Sequence, residues 1–133
     1  NITLYNKKIV SLINKQNLTT ALELIEIELN KPKSLISKDF LYINKSVCMT
    51  KNNNYSEGIR ILNLLNIENI HKSLKPCYIN NYLYNLLMLE RLDEAKQFYS
   101  KYNEKLKNIK DKKLSMSVKD TIATHEFLMS NSD

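Results

Sequence analysis

Hydrophobic residues recur along this chain with the spacing of amphipathic helices rather than with the alternation of strands. In the first segment, one helical face contains Leu4, Tyr5, Ile9, Leu12 and Ile13. Polar clusters interrupt the pattern at 14–17, 51–54 and 108–113, and Pro32 closes the second segment because proline disfavours helical geometry in the preceding residue. The pattern predicts an all-α fold of about seven helices joined by short polar turns.

Local signals place several helix ends. Ser37 has a hydroxyl that can cap the third helix, and Ser56 and Glu57 open a fourth helix that we expect to reach Leu65. Pro76 suits the first turn of the fifth helix, where its missing N–H would have no partner. The seventh helix is expected to run from about Leu114 to Met129.

Three small residues lie at equal intervals, since 58 − 21 = 37 and 95 − 58 = 37 for Ala21, Gly58 and Ala95. Each lies three residues after Leu18, Tyr55 or Leu92, in a polar turn that opens a helix. A repeat of this length cannot bury its apolar face alone, so stacked repeats share one elongated core. We therefore expect a single domain over 1–133, with repeats at about 2–32, 37–70 and 74–108 and a partial fourth repeat or cap at 112–133.

The small residues are expected to mark close helix crossings. Gly58 costs up to about 1 kcal/mol of helix propensity relative to alanine, so a packing reason must offset its presence inside a helix. Two backbones that nearly touch leave no room for a larger side chain. This predicts that Ala21, Gly58 and Ala95 are buried packing points, and that any binding residues lie on the neighbouring first helices.

Two of these settings, Asn54-Tyr55-Ser56-Glu57-Gly58-Ile59 and Arg91-Leu92-Asp93-Glu94-Ala95-Lys96, resemble the centre of a tetratricopeptide repeat. In that family an aromatic or aliphatic residue, two polar residues and a small residue open the second helix. The resemblance implies a right-handed superhelix of antiparallel helix pairs. It is a divergent one, because the period is 37 residues rather than the roughly 34 usual in the family.

The resemblance also implies that the first helix of each pair lines a concave binding face. Matched by position, the peptide-binding candidates are Asn6, Val10, Asn44, Val47, Asn80, Asn81, Tyr84 and Met88. An asparagine amide can donate to and accept from an extended peptide backbone. The expected function is a non-enzymatic scaffold for a protein or peptide. Two alternatives remain open: a peptide-sensing regulatory module of a longer regulator, and an RNA-associated helical repeat.

Charge and hydropathy narrow the classes of partner. The chain has 133 residues, 43% of them hydrophobic, and 20 Lys and Arg against 14 Asp and Glu, for a net charge of +6. Its densest basic run contains Lys105, Lys107, Lys110, Lys112 and Lys113, without arginine or interleaved aromatic residues, so nucleic acid is an unlikely partner. The apolar stretches fall short of the roughly 20 residues of a membrane helix, so we expect no membrane contact by this segment.

Cysteine and histidine give no pattern of a metal site or of catalysis. Cys48 and Cys77 form no CxxC pair and are expected to be buried free thiols, while His71 and His125 are expected in surface or linker positions. No cofactor is predicted, and reduced thiols favour the cytoplasm. Because the chain begins with Asn1 rather than methionine, we expect it to be a fragment of a longer protein whose N-terminal part could include an anchor.

Overall fold

Seven α-helices form the framework of the computed structural model, which describes residues 4–132. Their bounds are α1 Leu4–Asn14, α2 Leu18–Leu29, α3 Leu35–Lys51, α4 Tyr55–Leu62, α5 Lys75–Met88, α6 Leu92–Tyr102 and α7 Lys112–Ser130. A short 3₁₀ helix, Asn103–Leu106, follows α6, and no strand occurs between residues 4 and 132. The predicted all-α class and the number of helices are confirmed.

The helices group into two compact bodies, which we call the N-terminal body, through Leu65, and the C-terminal body, from Asn66 onward. In the N-terminal body α1 packs on α2 and α3, α2 packs on α3, and α3 packs on α4. In the C-terminal body α5 packs on α6 and α7, and α6 packs on α7. The arrangement of all repeats in one superhelix stays a prediction.

The turn between the two helices of each repeat contains one residue in the left-handed conformation. Gln16, Asn53 and Glu90 have φ of 62°, 63° and 57°, and they are again 37 residues apart. The following N–H reaches back to the first helix: Asn17 donates to the Leu12 carbonyl at 2.9 Å, Asn54 to Met49 at 2.8 Å and Arg91 to Leu86 at 3.0 Å. Together with the bonds from Gln16 to Ile13, Asn53 to Thr50 and Glu90 to Leu87, these define three Schellman motifs.

The three small residues occupy the first turn of the second helices. Ala21 and Ala95 are 0% exposed, and Gly58 is also buried. In the second repeat, Ser46 of α3 donates a hydrogen bond of 2.8 Å to the Gly58 carbonyl of α4, so the backbone of α4 lies directly against a side chain of α3. The prediction that these residues are buried packing points is confirmed.

Two predicted helix ends are wrong. The third helix begins at Leu35, because Ser34 rather than Ser37 is its cap and the Ser34 hydroxyl accepts a hydrogen bond from the Ser37 N–H at 3.4 Å. The fourth helix stops at Leu62 and does not reach Leu65, and Leu64 is 60% exposed. Serine caps at two nearby positions look alike in sequence, and an apolar leucine after a helix looks like its continuation.

An ion cluster secures the end of α2. Glu28 is 8% exposed and accepts from Lys33 at 3.0 Å and from Lys31 at 3.1 Å. The Lys33 ammonium also lies 5.0 Å from the centre of the Tyr5 ring, which joins the segment after α2 to α1. The hydrogen bonds from Lys33 and Lys31 lower the pKa of Glu28, so its contribution to stability is present at neutral pH and is lost as the carboxylate becomes protonated in acid.

The left-handed residues generate a first prediction. Replacing exposed Glu90 by glycine should raise the free energy of unfolding by about 1 kcal/mol, because glycine avoids the Cβ clash of this conformation. The control Lys101→Gly, at an exposed helical position of α6, should lower it by about 1 kcal/mol. Urea unfolding followed by far-UV circular dichroism measures both changes. A loss of stability in both variants would contradict the assigned turn.

Close crossing of α3 and α4 generates a second prediction. Gly58→Leu should lower the free energy of unfolding by about 1–3 kcal/mol through overpacking against α3. Gly58→Ala should be much better tolerated, because Ala21 and Ala95 occupy the equivalent positions. Thermal and urea unfolding of the two variants compare them directly. Equal stability of the leucine and alanine variants would contradict close packing of α3 and α4 at Gly58.

Candidate functional site

The predicted positions of the N-terminal body lie on α1 and α3 and differ in exposure. On α1, Asn6 is 7% exposed and Val10 is 40% exposed. On α3, Asn44 and Val47 are half-buried, and the Asn44 amide donates to the Phe40 carbonyl of its own helix at 3.0 Å. Of these four residues Val10 has the largest exposed fraction, while Asn6 lies mostly in the interior.

The predicted positions of the C-terminal body lie on α5. Asn80 and Asn81 are each 7% exposed, Tyr84 is half-buried and Met88 is 38% exposed. A further amide that the sequence did not single out, Asn85, is fully buried and donates to the Asn81 carbonyl at 2.9 Å. Of the predicted positions on this helix, Tyr84 and Met88 are therefore the accessible ones, with buried amides beside them.

A polar seam, formed by Asn80 of α5 with Ser117 and Thr121 of α7, joins these two helices. The Asn80 Nδ2 atom donates to the Ser117 hydroxyl at 3.0 Å, and the two residues are one period of 37 residues apart. Thr121, one turn after Ser117, is 2% exposed and donates to the Ser117 carbonyl at 3.0 Å. The interval between Asn80 and Ser117 is the spacing expected if α7 begins a partial fourth repeat.

The side-chain oxygen of Asn80, unlike its nitrogen, has no hydrogen-bond partner within residues 4–132. This atom, Oδ1, is also buried. An unpaired buried acceptor costs roughly 1–3 kcal/mol, which is why such groups are rare in folded proteins. Asn80 is thus a candidate recognition residue that a ligand reaches only if the packing around α5 and α7 opens.

His125 continues the same face of α7, one turn beyond Thr121, and its expected surface position is wrong. It is 9% exposed, and its ring centre lies 4.7 Å from that of Tyr99 on α6. Burial lowers the pKa of the imidazole, and the neighbouring charge of Glu126 acts in the opposite direction. The sequence carried one usable signal, because His125 lies four residues after Thr121 and seven after the apolar Val118.

The cysteine and metal candidates give no reactive centre in the described part of the chain. Cys48 is a buried free thiol and Cys77 a half-buried one, and burial raises the pKa of each to about 11. A thiol with a raised pKa is a poor nucleophile at neutral pH. No group of three or more His, Cys, Asp or Glu side chains within residues 4–132 could hold a metal ion.

The basic run is exposed throughout. All five lysines, Lys105, Lys107, Lys110, Lys112 and Lys113, face solvent, and Lys107 pairs with Glu104 at 3.0 Å. Two of them begin α7, and the others lie in the segment between the end of α6 and α7. None of the helices in residues 4–132 has both the length and the apolar character required to cross a membrane.

Comparison with known proteins does not assign this arrangement to a family. No protein-family model, curated protein or solved structure matches the chain. The resemblance to tetratricopeptide repeats therefore rests on the residues and the geometry described above, and membership of that family stays a prediction.

The seam between α5 and α7 generates a third prediction. Ser117→Ala removes the acceptor of the Asn80 amide and should be about 1 kcal/mol less stable than the matched control Ser115→Ala. The control shares the helix and the chemical change, but within residues 4–132 only the backbone N–H of Ser115, and not its hydroxyl, makes a hydrogen bond, to the Asp111 carbonyl. Urea unfolding gives the difference, and equal stability of the two variants would show that the seam contributes nothing.

Proposed function

We propose that this chain is a non-enzymatic scaffold that binds a protein or peptide through the exposed positions of its first helices. The main support is the repeated geometry, in which a first helix, a Schellman turn and a second helix recur every 37 residues. Within each body, first helices pack on one another, α1 on α3 and α5 on α7. That is the neighbour relation that a tetratricopeptide-like superhelix requires.

The composition of the exposed first-helix positions supports a peptide rather than a small polar ligand. Val10 and Met88 are 40% and 38% exposed, and Tyr84 is half-buried beside the buried amides of α5. Apolar and aromatic side chains that remain partly exposed are the usual anchors of protein contacts. Methionine also adapts its shape to different partners. In this proposal Tyr84 and Met88 supply contact area.

The buried amides are not available for the first contact with a peptide. Asn6, Asn80 and Asn81 are each 7% exposed, so a rigid peptide on the surface reaches little of them. We therefore assign initial contact to Val10, Asn44, Val47, Tyr84 and Met88. Contact with the other three positions requires local opening of the helix packing.

The proposal extends to the cellular location and to the two alternative functions. A cytoplasmic location suits a protein with two free thiols, because disulfides persist mainly in oxidising compartments. The regulatory alternative uses the same face, since a peptide bound there would act on another domain of a longer protein. The RNA alternative would instead use the exposed lysines that precede and begin α7.

A selection of random peptides on the 133-residue chain tests this proposal and gives the fourth prediction. The enriched peptides should bind Met88→Glu with a Kd at least about tenfold higher, because this substitution places a charge at an apolar contact. A tenfold rise in Kd corresponds to about 1.4 kcal/mol of binding free energy. Gln97→Glu is the matched control, because it makes a neutral side chain acidic at an exposed position of α6. Fluorescence anisotropy of the labelled peptides measures each Kd.

The Gln97→Glu control tests whether the peptide contacts the first helix of this repeat, α5, rather than the second helix, α6. Peptide affinity should be nearly unchanged in Gln97→Glu, and Tyr84→Ala should weaken it in the same direction as Met88→Glu. Failure to enrich any peptide would contradict the scaffold proposal. Loss of affinity in Gln97→Glu with none in Met88→Glu would move the binding face to the second helices.

A further inference from the structure

His125 occupies an interior position that favours its neutral form. The residue is 9% exposed, its ring lies against Tyr99 of α6, and its Nε2 atom is buried with no hydrogen-bond partner within residues 4–132. A neutral imidazole can leave one nitrogen as an unused acceptor, whereas an imidazolium must donate from both nitrogens. Protonation would therefore place an N–H and a positive charge at a buried atom that has no acceptor.

The groups around His125 do not compensate for such a charge. From α6 it meets the neutral phenol of Tyr99, and on its own helix the adjacent Glu126 is exposed and makes no ion pair with it. The face of α5 that meets α7 through Asn80 carries two titratable groups, the thiol of Cys77 one turn earlier, whose pKa is raised by burial, and the phenol of Tyr84 one turn later. Of these groups Glu126 alone favours the charged imidazole, and burial outweighs it, so the pKa of His125 is lowered.

The position of His125 connects it to the seam between α5 and α7. Ser117, Thr121 and His125 follow one another at intervals of four residues and so lie along one face of α7. The Ser117 hydroxyl accepts a hydrogen bond from the Asn80 amide of α5, and His125 packs against Tyr99 of α6. A change that separates α7 from α6 at His125 therefore acts on the same helix face that covers Asn80.

We propose that α7 is an acid-sensitive latch, in which protonation of His125 loosens α7 from α5 and α6 and uncovers the Asn80 amide. The direction of the pH effect follows from the linkage between protonation and stability. Because the pKa in the folded state lies below the ordinary value for histidine, the packed form is fully favoured above about pH 6.5 and loses its advantage as the pH falls below it. The loss in the closed-to-open ratio steepens toward tenfold per pH unit as the pH falls further below about 6.5, until the folded-state pKa is reached.

Hydrogen exchange of the whole chain, read by NMR at each amide, tests the latch and is the fifth prediction. After correction for intrinsic rates, protection of α7 amides should fall, by at most about fivefold, as the pH is lowered from about 6.5 to about 5.5. Protection of α1 to α4 should change little over this range, because Glu28 acts only in more acidic solution. Unchanged protection of α7 across the range would overturn the proposal.

Two variants and the ring signal of His125 itself identify the titrating group. His125→Phe keeps an aromatic ring beside Tyr99 and should abolish the pH dependence of α7, whereas His71→Gln, at an exposed histidine before α5, should preserve it. Persistence of the effect in His125→Phe would overturn the proposal. In the unmodified chain, the His125 ring signal should titrate below about pH 6.5, the ordinary value for histidine. Titration of this ring at or above that value would also overturn the proposal.

Discussion

Each helix pair in this protein depends on one backbone reversal in which a residue with a side chain adopts the left-handed conformation. At Gln16, Asn53 and Glu90 this conformation ends the first helix and turns the following N–H back onto it. The small residue that crosses the partner helix then follows five positions later, as at Ala21 after Gln16. Because the turn fixes the direction of the second helix, it also fixes which side chains meet between the helices. The period of 37 residues is thus a property of the backbone as well as of the sequence.

The sequence predicted the part of this fold that depends on periodicity. Apolar spacing revealed seven helices, and the interval between Ala21, Gly58 and Ala95 revealed the repeat. The left-handed residues were not predicted, because glutamine and glutamate seldom adopt this conformation and only Asn53 is of a favoured type. The cap at Ser34 was missed for a related reason, since several neighbouring residues could have formed the same hydrogen bond.

The candidate site could be predicted only to the level of the helix that carries it. Helical register located the predicted positions on first helices, but it did not distinguish exposed Met88 from buried Asn80, which lie on the same helix. That distinction depends on α7, which is distant in sequence and covers one side of α5. The partner of Asn80 had a signal that was not used, because Ser117 lies one period of 37 residues later. The spacing of His125 from Val118 and Thr121 was a usable signal that was not used, and the contact with Tyr99 that covers its ring is distant in sequence.

The central claim is that three equivalent turns divide the chain into helix pairs with one period. Backbone chemical shifts and amide–α-proton couplings of the whole chain measure φ at Gln16, Asn53 and Glu90 directly in solution. The account predicts positive φ at all three residues, with helical shifts resuming within two residues of each. Negative φ at these positions, or a helix that continues through any of them, would contradict it.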